Sequence, residues 1–134
     1  MKAEGITLPQ TNQSSGKDPM SDIHKHQTPE MHECIHNCED CRDACLHAIH
    51  DCLKKGGKHA EHHHIGLLMD CAEICNTAHD FMVRHSHLHS LTCGACAEIC
   101  EVCAKSCEEL GDRECAEICR RCAKTCGTMG STKA

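Results

Sequence analysis

The 134-residue chain carries 16 cysteines, and their spacing repeats. Residues 34–45 read CIHNCEDCRDAC, residues 96–107 CAEICEVCAKSC and residues 115–126 CAEICRRCAKTC, each a copy of C-x3-C-x2-C-x3-C. Residues 71–82 read CAEICNTAHDFM, the same opening with Ala78 and Met82 where the third and fourth cysteines would stand. Cys52 and Cys93 extend the pattern singly. Cysteine at this density does one of three things: it forms disulfides, binds soft metal ions as thiolate, or fills space as a small hydrophobe.

Spacing decides what kind of element must carry these thiols. At about 100° per residue, steps of four, three and four return to nearly the same direction, so each set makes one narrow stripe on a helix. Cys34, Cys38, Cys41, Cys45 and Cys52 fall within an arc of about 60°. Thr28 suits an N-cap and Pro29 the first helical position, and an unbroken helical pattern then runs to Lys55, before Gly56-Gly57. A second pattern runs from about His59 to His87. A third begins after Ser90 as cap and ends at Leu110; a fourth runs from the capping Asp112 to Cys126 and stops at Gly127. Four helices with short connections predict an all-α, antiparallel up-down-up-down bundle with a cysteine-lined core. The expected organisation is a flexible arm at 1–27, the bundle at 28–127 and a short tail at 128–134.

Composition agrees that sulfur replaces a conventional core. There is one Phe and no Trp or Tyr, and aromatic residues make up 1% of the chain. Sixteen buried cysteines in register are a poor hydrophobic core, because Leu or Ile would bury far more apolar area in the same space. Disulfides between neighbours on one helix would close only short loops and constrain little of the unfolded chain. A continuous metal–thiolate site is the reading that uses the whole stripe. Structural zinc takes closed tetrahedral sites, usually with cysteine pairs on loops. The ferredoxin run C-x2-C-x2-C-x3-C-P is absent. Carboxylates are missing from the stripes, which argues against magnesium, calcium, manganese and di-iron chemistry. Thiolate with supplementary thioether is the ligand set of Cu(I).

Formal net charge is −6, and the 14 Lys and Arg residues are scattered, so a nucleic-acid partner is not expected. No stretch approaches transmembrane length, and the first residues lack a secretory apolar run or a twin-arginine signal. The expectation is a cytoplasmic protein whose thiols stay reduced, with no membrane association. No nucleophile, base and orienting group can be picked out, so no enzyme is expected.

The cysteine stripes, the four-helix layout and the CAEIC segments resemble the bacterial copper storage proteins over about residues 30–127. The resemblance implies many Cu(I) ions bound along the bundle interior, cytosolic location and a homotetramer. By that likeness the ligands are Cys34, Cys38, Cys41, Cys45 and Cys52 on the first helix, and Cys71 and Cys75 on the second. On the third and fourth they are Cys93, Cys96, Cys100, Cys103, Cys107, Cys115, Cys119, Cys122 and Cys126. The second helix departs from the pattern at Ala78 and Met82. Partners would be copper ions themselves, with a copper chaperone or a small-molecule thiol as donor or acceptor.

Met82 stays on its stripe, within about 20° of Cys71, and His64, His85 and a helically continued His89 fall near it. Antiparallel topology groups Met82 and His85 with Cys34, Cys93 and Cys126 at one end, which reads as the copper mouth. His64, beside Leu67 and Leu68, reads as a plug at the other. His32, His36, His47 and His50 point outward and His59, His62 and His63 belong to a polar loop region. The competing functions are zinc or cadmium sequestration and a zinc-loaded thiol redox sensor, although a sensor needs only a few exposed thiols.

Overall fold

A computed structural model describes residues 28–131. Helix α1 spans Pro29–Lys55 and α2 His62–Val83, with a single 3₁₀ turn, Gly57–Ala60, between them. Helices α3 and α4 span His89–Glu109 and Arg113–Gly130. Each helix packs on the next and α4 returns against α1, which closes the antiparallel four-helix bundle. The expectations for residues 1–27 and 132–134 lie outside the described residues.

Local chemistry explains most of the boundaries. The Thr28 hydroxyl accepts from the Met31 N–H at 3.1 Å, and Gly56, at φ 72°, ends α1 in a conformation that side-chain-bearing residues avoid. Asp112 caps α4 by accepting from the Cys115 N–H at 3.2 Å. The second and third helices differ from expectation. The second starts at His62, because residues 57–60 form the 3₁₀ turn, and it ends at Val83, because the chain turns at His85 with φ 58°. The third starts at His89, before Ser90. It is Ser86 that accepts there, from the Leu88 N–H at 3.0 Å. Helix α4 continues through Gly127 to Gly130, since a glycine stops a helix only where the backbone turns left-handed, and here it does not.

Small residues let the helices approach. Ala72, Ala104, Ala116 and Ala123, each following a stripe cysteine, are buried in the seams. At one end a Cβ on Gly130 would lie 2.7 Å from the Gly94 Cα, so α3 and α4 touch backbone to backbone. Every seam also carries a polar clasp. Asn37 donates to Thr125 at 3.2 Å across α1–α4, and His79 meets Glu39 at 2.8 Å across α1–α2. His64 meets Ser106 at 2.7 Å across α2–α3, and Arg120 pairs with Glu108 across α3–α4. Aliphatic side chains flank the α1 stripe unevenly: Ile35 is buried, whereas Leu46 and Leu53 are exposed. Among the described residues no helix is long and apolar enough to cross a membrane.

Candidate metal centre

All 16 cysteines are buried, and none is joined in a disulfide. The geometry follows from the repeat: four stripes on four helices meet at the bundle axis, because a helix presents one face inward and every stripe lies on that face. Cys41 on α1 has sulfur neighbours on the other three helices, Cys71 at 3.7 Å, Cys119 at 3.6 Å and Cys100 at 3.9 Å. Cys75 and Cys122, on the diagonal pair α2 and α4, are 3.9 Å apart. Sulfur therefore fills the axis itself.

These contacts resolve into overlapping groups whose donor atoms all lie within 4.8 Å of one another. One is Cys38, Cys96, Cys122 and Cys126; another is Cys41, Cys71, Cys75 and Cys100; Cys34, Cys93 and Cys126 form a three-sulfur group at one end. Shared members chain the groups, so adjacent ions would share bridging sulfurs. Where Ala78 and Met82 interrupt the α2 stripe, both side chains are wholly buried and continue the column without thiols.

Protonation is collective. The Cys122 contact raises Cys38 and the Cys103 contact raises Cys45, while the Cys100 contacts lower Cys71 and Cys122. Neighbouring sulfurs thus hold a shared pool of protons that leaves stepwise, and each bound cation would displace part of it. Cys52, at the end of the α1 stripe, is raised chiefly by burial and then by the Asp112 carboxylate.

The two ends carry different chemistry. Beside Cys34, Cys93 and Cys126 sits Met82, wholly buried, joined by the buried Met129. His85 is brought to the same end but is exposed in the α2–α3 turn. The buried imidazole there is His89, one turn before Cys93 on the same stripe. Its Nδ1 donates to the Ser86 carbonyl at 3.1 Å, and its buried Nε2 has no hydrogen-bond partner. At the opposite end His64 is 3% exposed, with Nδ1 held by the Ser106 hydroxyl and Nε2 again buried without a partner. Burial lowers the His64 pKa, keeping the ring neutral. One nitrogen oriented by a hydrogen bond and the other bare is the arrangement of a metal-ligating histidine. Helical continuation had placed His89 near the stripe, but only the packing shows its orphaned nitrogen. His36, His47 and His50 are exposed as expected, while His32 is half-buried with its ring 4.7 Å from that of His36.

Comparison with known proteins agrees with this site. The profile of the copper storage protein family matches residues 27–131. An uncharacterized cysteine-rich protein of Bacillus subtilis (strain 168) is 38% identical over 74 residues, covering 55% of this chain and 68% of that protein. A Nitrosospira multiformis crystal structure superposes with a TM-score of 0.75 at 46% identity, over 76% of this chain and 95% of the other. The Cu(I)-bound copper storage protein BsCsp3 superposes with a TM-score of 0.71 at 33% identity, over 76% and 99% of the two chains. On its matched length and its thiol-filled axis, this chain belongs to the copper storage protein family.

Proposed function

We propose that the protein stores and buffers copper as Cu(I), held by thiolates along the bundle axis and released to a copper chaperone or a small-molecule thiol, without catalysis. The observation that carries this reading is the column of free, buried thiols at the bundle axis, joined by sulfur contacts of 3.5 to 3.9 Å that reach all four helices. A regulatory thiol site would need one exposed cluster; a column is the geometry of capacity. Ligands are the sixteen cysteines, with Met82, His85 and His89 supplying weaker donors beside Cys34, Cys93 and Cys126, and His64 doing so at the other end. Because bridging sulfurs are shared, capacity is on the order of ten to twenty ions per chain, about one per cysteine. The family likeness supports a cytoplasmic homotetramer, for which the exposed Leu46, Leu53 and Met69 provide apolar contact surface.

The test is metal analysis of protein purified anaerobically from copper-supplemented cells, with a Cu(I)/Zn(II) competition titration against a chelator. Loading to near one Cu(I) per thiol is the expected result. Saturation after one or two Cu(I), or zinc retained against Cu(I), overturns the storage reading in favour of zinc sequestration or a zinc-loaded sensor. Sedimentation analysis of the loaded protein reads the oligomeric state.

A further inference from the structure

Sixteen thiols sealed inside a bundle require a place where a cation first meets one. Fourteen of them are wholly inaccessible; Cys115 is the most exposed at 4%, followed by Cys52 at 2%. Cys115 also lines a cleft of about 150 Å³ between α1 and α4. Beside Cys115, α1 contributes only the short side chains of Ala44 and Ala48 to the lining. The rim is polar: His47, Asp51, Asp112 and Glu114. His47 and Asp51 are paired at 3.1 Å, and the Asp112 carboxylate accepts from the Cys115 N–H at 3.2 Å. Three carboxylates around one concavity make a local negative field that concentrates cations. The buried Nε2 of His64, without a hydrogen-bond partner, lies at the same end of the bundle as Cys115. Another flank crevice, lined by Glu39, Arg42, Asp43 and His79, ends on the wholly buried Cys38, and one of its carboxylates, Asp43, is paired with Arg42 at 3.2 Å.

We infer that Cu(I) is loaded through the α1–α4 cleft, and not at the Met82 end that the sequence suggests as the mouth, and that Cys115 is the thiol that captures it. The proposal rests on the storage reading and adds the route by which the store fills. The step is a ligand exchange at constant oxidation state. A donor's copper–sulfur bond breaks as a copper–sulfur bond to Cys115 forms. The Cys115 proton passes to the departing donor thiolate, which leaves as a thiol. Copper remains Cu(I) throughout. Deeper thiols then take the ion inward by the same exchange, and Cys115 is freed for the next.

Two measurements on the full, reduced, metal-free chain test this. In the first, half an equivalent of iodoacetamide is added briefly and the labelled cysteines are mapped by mass spectrometry. Cys115 should carry several-fold more label than any other cysteine; a lead by Cys34, Cys38, Cys93 or Cys126, or uniform labelling, overturns the proposal. In the second, Cu(I) uptake from a coloured chelator is followed by stopped flow in the Asp51→Asn, Glu114→Gln double variant. Loss of rim charge should slow initial uptake about five-fold at low salt, with the difference vanishing at high salt and final capacity unchanged. An unchanged initial rate overturns the proposal. Failure of the storage reading is distinguishable, because it would appear as a low final capacity in the unsubstituted protein, whichever cysteine labels first.

Discussion

Cys41 shows what one residue does in a shared-ligand core. It contacts sulfurs on three other helices and belongs to two four-thiol groups, whereas Cys52 sits at the column's end, beyond the repeat. Cys41→Ser should therefore lower Cu(I) capacity more than Cys52→Ser does, as read in parallel chelator titrations. Cys52 and His64 also set a pH window for the metal-free protein. His64 is pushed below its ordinary 6.5 by burial, so the stability it contributes is present above that value and is lost as pH falls through the folded pKa. Cys52 is pushed above its ordinary 9.0, chiefly by burial, so its contribution is complete below that value and is lost as pH rises through the folded pKa. Denaturant midpoints of metal-free protein should accordingly be highest between the two ordinary values and fall on both sides. A His64→Gln variant should lose the acid-side decline.

Between helices, close approach is what compresses four stripes into one column, and it depends on residues that carry no chemistry. Gly130 lies against the Gly94 backbone, so a methyl group added at 130 must push α3 and α4 apart near Cys93 and Cys126. Gly130→Ala should cost about 1–3 kcal/mol in chemical denaturation. The control is Gly94→Ala, whose Cβ would meet open space; there the gain in helix propensity makes the change neutral or stabilising. Capping is the second element-scale lever. Thr28→Ala removes the acceptor for the Met31 N–H and should destabilise the start of α1 by about 1 kcal/mol. Because α1 carries five of the ligands, this variant should also show faster amide exchange over residues 29–33 in hydrogen-exchange mass spectrometry.

For the molecule as a whole, the core is a ligand set, so stability and cargo are linked. Cu(I) binds the folded column more tightly than scattered thiols, and ligand binding to the native state stabilises it by mass action. Thermal unfolding should therefore move to higher temperature with each equivalent of Cu(I), with protons released in step, as calorimetry and a weakly buffered pH titration would read. Much of this was legible from the chain alone. The C-x3-C-x2-C-x3-C repeat determined four inward stripes, because helical periodicity is local and needs no partner to define it. The Thr28 and Asp112 caps and the Gly56 stop followed from side-chain chemistry within a few residues. What only the tertiary structure decided depends on neighbours distant in sequence. Periodicity does not say that Cys41 meets Cys100 across the diagonal, or that His89 rather than His85 is the buried imidazole at its end. Nor does it say that Ala44 and Ala48 leave Cys115 within reach of a carboxylate-rimmed cleft. Spacing along one helix defines a face, whereas burial, orphaned nitrogens and a thiol-bearing residue at the edge of a cleft arise only when four faces close on one axis.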